Sequence, residues 1–279
     1  MNELQAADRY CRLLTDTHYE NFTVASGLLR PQVRTDLARI YAFCRTTDDL
    51  GDESGTDATA RLARWRDEVA ATFVGAPPVH PVLIALRETV RRCELPEQPF
   101  LDLIEANLQD QRVSSYEDWP QLRAYCTLSA APVGRMVLRV FGMSNPLAAS
   151  LSDDVCIGLQ LANHAQDVQR DAGIGRSYLL QTDLRAHGVA GAVEALVARA
   201  RALLASGRAL ETMAPQPLRL QLSLYRLGGL AICDAIAALR YRTDRQRPQV
   251  STSKKVALLV RAVAESLQPQ RKMRDATTA

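Results

Sequence analysis

Apolar residues recur at intervals of three and four almost from one end of this chain to the other, and no run alternates β-branched with polar residues as a half-buried strand would. That periodicity points to an all-α fold. One helix opens at Pro31 and carries through "QVRTDLARIYAFCRTTDDL". The spacing predicts others over 57–74, 80–94, 97–111, 116–141, 147–171, 189–213, 217–243 and 252–267. Gly/Pro clusters at 75–78, 95–99, 142–146, 173–175 and 214–217 punctuate them. None of these breaks is long enough for a flexible linker and no repeat is present, so residues 1–279 read as a single domain. Its 47% hydrophobic content allows a substantial core.

The first departure from ordinary helix composition is "TTDDLGDE" at 46–53, where Asp48, Asp49, Asp52 and Glu53 follow an apolar run. At ~100° per residue from Leu37, Tyr41 falls at about 40° and Cys44 at about 340°, with Asp48 at about 20° and Asp52 at about 60°. The acidic pair therefore continues the stripe expected to face inward. A solvated helix end would suit a generic acidic cluster, but not these angles. Two partly buried like charges one turn apart repel by ~3 kcal/mol at an effective dielectric near 20. Arg45 can neutralise only one of them, which leaves hard divalent cations as the natural partners of the rest.

The Asp48–Asp52 step is repeated by Asp167 and Asp171 in "GLQLANHAQDVQRDAGIGRSYLL" (158–180), where Gln160 and Asn163 share the same arc of an otherwise apolar helix. A surface amphipathic face would explain Gln160 and Asn163 as well as a metal site does. The pairing of the two acidic motifs is the specific signal. Magnesium keeps waters and takes one or two carboxylates together with substrate phosphates. A diphosphate is then the expected bridging ligand, with Arg45, Arg170 and Arg176 as candidates for its remaining oxygens.

These segments also carry a family resemblance. "HYENFTVASGLL" (18–29), "IYAFCRTTDDLGDE" (40–53), "YCTLSAAPVGRM" (125–136), "GLQLANHAQDVQRDAGIGRSYL" (158–179) and "GGLAICDAIAALRY" (228–241) stand in the order seen in squalene/phytoene synthases, the head-to-head trans-isoprenyl diphosphate synthases. "HYENF" and "DDLGDE" look most like the hopanoid-associated hydroxysqualene synthase branch. The resemblance implies an isoprenoid synthase fold with a central cavity. It also implies conversion of presqualene diphosphate to hydroxysqualene by ionisation, rearrangement and water capture, with two or three Mg²⁺ ions bound alongside the diphosphate and no NADPH. It makes Asp48, Asp49, Asp52, Asp167 and Asp171 metal ligands assisted by Asn163. Tyr41 and Arg45 become diphosphate contacts, His18 and Phe22 line the isoprenoid site, and Tyr125 and Tyr241 are further substrate contacts. Alternatives from the same chemistry are condensation of two farnesyl diphosphates to presqualene diphosphate, or a squalene- or phytoene-type product. A non-catalytic lipid-binding or assembly factor is a third reading, disfavoured by the intact acidic pairs. The chain departs from relatives at His164 and Ala165, where aromatics are usual, and at Leu180, where proline is common after "YL".

A water that quenches a carbocation in an apolar cavity needs at least two polar partners. His18, Asn21, Tyr41, Gln160 and Asn163 are the candidates. The net charge of +3 leaves no footprint for nucleic acid. Six cysteines without a CxxC pair suggest reduced thiols, and the charged start of the chain has no secretory core, so a cytoplasmic protein is expected. The most apolar segment, 228–239, carries Asp234 and is too short to span a bilayer. Membrane contact would be peripheral, at 141–151 or 228–239, and other squalene-pathway enzymes are candidate partners. His80, His164 and His187 are expected to be structural or surface residues.

Overall fold

The computed structural model describes residues 2–17, 29–52 and 57–267, which form twelve α-helices and no strand. They are α1 (Glu3–Thr17), α2 (Pro31–Asp52), α3 (Ala58–Phe73), α4 (Pro81–Cys93), α5 (Gln98–Asp110), α6 (Trp119–Ser129), α7 (Ala131–Val140), α8 (Pro146–Gln166), α9 (Val168–Gly173), α10 (Gln181–Met213), α11 (Gln216–Ala238) and α12 (Thr252–Ser266). The punctuation in the sequence becomes capping chemistry. Asp118, Asn145 and Ser251 accept backbone N–H bonds at the starts of α6, α8 and α12, and prolines occupy the first turns of α4 to α8. His80, expected at the surface, is half-buried. It caps α4 by accepting from the Val82 amide and packs edge-on to Trp65.

Two expected helices are divided. The stretch 116–141 breaks at Ala130, because Pro132 in the first turn of α7 has no amide to continue the ladder. The stretch 147–171 breaks at Asp167, whose φ of −101° and ψ of 18° end α8 before α9 begins. Conversely, the helix expected at 189–213 starts at Gln181 and kinks at Gly188, where φ is 65°.

Two apolar cores result. One joins α6, α8, α10 and α11, and the other joins α1 to α5. Val137 and Phe141 of α7 pack against both, so α7 is the seam. Helices α8 and α10 approach closely at Gly158, where a Cβ would lie 3.0 Å from Leu204 and 3.1 Å from the Ala200 carbonyl. Helix α1 is pinned to α2 by a buried polar cluster. Arg39 grips Asp8 with bonds of 2.8 and 3.0 Å, and the fully buried Asp36 accepts from Thr89 at 2.7 Å and pairs with Arg92. Burying Asp36 without those partners would cost several kcal/mol.

Candidate active site

Between the two cores lies a cavity of about 510 Å³, walled by α2, α7, α8 and α11. Its volume falls within the ~300–1,000 Å³ usual for small-ligand pockets. Leu37, Ile40, Tyr41 and Cys44 of α2 form one wall. This is the stripe that the sequence alone suggests is core-facing. Leu37 and Ile40 also belong to the core around α1 to α5, as expected, and the adjacent face, carrying Phe43, Thr47 and Gly51, is buried beside them, with the Thr47 hydroxyl accepting from the Trp65 indole at 3.0 Å. The stripe is core and cavity wall at once, because an apolar cavity wall and an apolar core interface have the same composition. Continuing the cavity stripe toward the end of α2, Asp48 and Asp52 stand at the rim. Asp48 is open to solvent on one side and walled by protein on the others.

Helix α5 holds this rim in place. Asn107 donates to Asp48 at 3.3 Å, and Gln111 donates to the Gly51 carbonyl at 3.1 Å. A Cβ on Gly51 would lie 2.6 Å from the Asn107 amide oxygen, so a side chain there would displace it. Burial, together with the nearby Asp52, pushes the Asp48 carboxyl up to about 6, against the opposing Asn107 hydrogen bond. Asp49, whose charge also reaches Asp48, is half-exposed and tied to Arg45 at 2.6 Å. Arg45 keeps its buried Nε without a hydrogen-bond partner in the protein.

The second acidic motif faces the same region from a different backbone. Asp167 sits at the break between α8 and α9, and Asp171 lies one turn later. Burial, then the Asp167 charge, pushes Asp171 up to about 6. Of the arginines assigned to the diphosphate, Arg170 is largely exposed, 3.8 Å from Asp167, whereas Arg176 is mostly buried.

Three residues that the sequence reading passed over join the two motifs. Asp110, at the end of α5, accepts from the Tyr125 hydroxyl at 2.9 Å and the Tyr178 hydroxyl at 3.5 Å, with Arg176 at 3.8 Å. Burial raises its pKa, and the fields of both Asp52 and Arg176 reach it; its own charge reaches Asp171. Asn107 is the second such residue. Arg247 is the third, in the segment after α11, where its guanidinium meets Asp167 at 2.5 and 3.4 Å while Gln166 bonds to the Pro248 carbonyl. The only available sequence signal was that Asn107, Asp110 and Gln111 put three polar groups on the last turn of an apolar helix.

Tyr125 is buried beneath the rim in a stack with Tyr116 and Tyr178. His164 lies flat on Tyr178 with ring centroids 3.6 Å apart, and burial pushes its pKa down to about 3, so it is neutral. Gln160 and Asn163 line the cavity next to the acidic rim, as does Tyr41. Tyr241, at a φ of 60°, packs on the edge of the core around α8 and α10. His18, Asn21, Phe22 and Glu53 lie outside the described residues.

Among the described residues, no three His, Cys, Asp or Glu side chains converge closely enough to hold a metal ion by themselves. The donor set still fits hard cations. Asp48 and Asp171 are each raised by burial and by the second aspartate of their own motif, and Arg45 keeps an unpaired Nε donor one turn before Asp48.

A family model described as squalene/phytoene synthase matches residues 15–254. The chain belongs to the squalene/phytoene synthase family. Members of this family act on prenyl diphosphates, and the all-α isoprenoid synthase fold described above is theirs. The chain is 33% identical over 224 residues to the hydroxysqualene synthase of Rhodopseudomonas palustris, covering 75% of this chain and 73% of that protein. It is 35% identical over 187 residues to the presqualene diphosphate synthase of the same organism, covering 66% of each. Among solved structures, squalene synthase HpnC from Alicyclobacillus acidocaldarius superposes with a TM-score of 0.81 at 43% identity, covering 86% of this chain and 96% of that one. The residues lining the cavity described above stand on helices and on the Ala130 junction between α6 and α7. Among the described residues no helix is long and apolar enough to cross a membrane.

Proposed function

We propose that this protein converts presqualene diphosphate to hydroxysqualene. The observation that carries the reading is an apolar cavity with both acidic motifs at its rim and one unpaired hydroxyl in its wall. That hydroxyl is Ser129 Oγ, buried, without a hydrogen-bond partner in the protein, on the cavity lining. The relationship to hydroxysqualene synthases supports the reading, and that to a presqualene diphosphate synthase keeps condensation of two farnesyl diphosphates as the second reading.

In the first step the carbon–oxygen bond to the diphosphate breaks, and the leaving group takes the electron pair. Asp48, Asp52, Asp167 and Asp171 would hold Mg²⁺ jointly with the diphosphate, supplying charge stabilisation to the departing oxygens. Arg45 Nε and Arg176 donate to the same oxygens. The cation is left between apolar walls that offer no strong nucleophile. Ser129, Gln160, Asn163 and Tyr41 provide the polar partners for one water. The cyclopropylcarbinyl cation first rearranges, a bond of its three-membered ring breaking as the charge moves to the carbon that is attacked. The water oxygen then forms the new carbon–oxygen bond there, and the water's proton leaves to the diphosphate.

Purified protein incubated with Mg²⁺ in ¹⁸O-labelled water, without NADPH, tests this by mass spectrometry. Presqualene diphosphate should yield a labelled C30 alcohol. An unlabelled product, squalene formed only with NADPH, or turnover of farnesyl diphosphate alone would overturn the assignment. Ser129→Ala should lower the alcohol share of the product several-fold while total ionisation persists.

A further inference from the structure

The net charge of +3 conceals an uneven distribution. The forty residues from Arg240 onward hold ten Lys or Arg against three Asp or Glu, a net +7, and the preceding 239 residues carry a net −4. Helix α12 lies in the basic part. Its inner face packs on α11 through Leu258 and Ala262. Its one acidic residue, Glu265, is turned toward Arg226 and Arg208, each at 2.7 Å.

The outer face of α12 is apolar and uncovered. Val256, Val260, Val263 and Leu267, at i, i+4, i+7 and i+11, are 56%, 65%, 38% and 65% exposed. Four of the eleven large hydrophobic residues exposed among the described residues therefore fall in one line, whereas the other seven are spread over the rest of the molecule. Lys254 and Lys255 are exposed at the start of the same helix, and Arg240 and Arg245 are exposed in the segment before it. An apolar stripe flanked by cations, with its sole carboxylate turned inward, matches the interface of an anionic bilayer. A second copy of the chain would bring two such basic regions together, which like-charge repulsion opposes.

The position of this face links it to the cavity. Leu224 of α11 packs against the cluster of Leu220, Leu227 and Ala262, which α12 shares, and also lines the cavity. We propose that the outer face of α12 docks on an anionic lipid surface and sets the α11 wall of the cavity beside the bilayer, where a long hydrocarbon product leaves into lipid. The docking face stands on exposure and charge alone. Its link to product release rests on the function proposed above.

Flotation of the full chain with vesicles tests the docking without reading activity. The chain should bind phosphatidylcholine vesicles containing phosphatidylglycerol more strongly than phosphatidylcholine alone, and salt should weaken binding. Val260→Asp with Val263→Asp, and separately Lys254→Glu with Lys255→Glu, should each reduce binding about tenfold or more. Melting temperature and turnover of detergent-dispersed substrate should be unchanged in both. Undiminished binding of the valine variant overturns the proposal, as does wild-type binding to neither vesicle. A wild-type dimer split by the valine variant would assign the stripe to a second copy. Loss of binding only when residues 268–279 are deleted would assign it to that tail. Loss of the presqualene activity with vesicle binding intact would overturn the function and leave the docking face standing.

Discussion

Asp48 and Asp52 stand one turn apart on an unbroken helix, clamped from the side by Asn107 of α5 and Gln111 just past its end. Asp167 and Asp171 have the same spacing but follow a break in the backbone, and Asp167 is held by Arg247, eighty residues away. The same sequence motif therefore has two kinds of support. The first is positioned by close helix packing. The second is positioned by a short helix and a cationic side chain that an incoming ligand can displace. Equal spacing does not imply equal rigidity.

Removing a carboxylate from either motif is the strongest way to break this comparison. Asp48→Asn and Asp171→Asn should each lower turnover by about 10³-fold or more, since each deletes a carboxylate that would hold the Mg²⁺ balancing the charge of the leaving diphosphate. Full activity in either variant would remove that motif from the reaction. Their stability should respond in the opposite direction. Both carboxyls are raised to about 6, so the native state binds their protons more tightly than the unfolded chain does. Ionising them costs stability as pH rises from about 4 through about 6. Melting temperature measured in EDTA should fall across that window in the wild type and fall less in each variant. A wild-type curve rising through the same window would refute the sign.

Asp110 sharpens the comparison from between the motifs. Asp110→Asn keeps the shape of the carboxyl but removes one acceptor from two tyrosine hydroxyls and the partner charge of Arg176. A loss of about 10²-fold in kcat is expected. Circular dichroism should show an intact fold, with stability lowered by about 1–3 kcal/mol for the unsatisfied hydroxyl. A variant with unchanged kcat would reduce Asp110 to a packing role.

The smallest effect is expected at Arg247. Arg247→Ala removes the tether of Asp167, so KM should rise about tenfold while kcat changes less. Thermal-shift titration should still show Mg²⁺ and inorganic diphosphate stabilising the variant together more than the sum of each alone, as the shared site requires. Strictly additive shifts in the wild type would argue against a shared site.

The sequence made both motifs and the cavity-facing stripe of α2 legible because each repeats at helical spacing, and a helix converts spacing directly into a shared face. It could not distinguish a cavity wall from a core wall, since Leu37, Ile40 and Cys44 suit either. Asp110, Asn107 and Arg247 were hidden for another reason. Each is a single polar residue whose importance comes from a partner tens of residues away, and no local pattern marks such a partner. The break at Asp167 was equally silent, because no glycine or proline sits there to announce it.

The cavity wall has a thermodynamic consequence. Gly228 leaves the space open by omission of bulk, since nothing lies within 4 Å of where its Cβ would stand, whereas Gly134 allows close packing, because a Cβ there would meet Cys156 Sγ at 2.6 Å. If a void of this size stayed dry, it would cost ~12 kcal/mol at about 24 cal/mol per Å³, comparable with the ~5–15 kcal/mol that holds a whole domain together. The resting protein must therefore fill the void with solvent, and a hydrocarbon chain entering it restores dispersion contacts the fold lacks. The substrate then acts as the missing piece of the interior, and a chain too short to reach Gly228 completes it only in part.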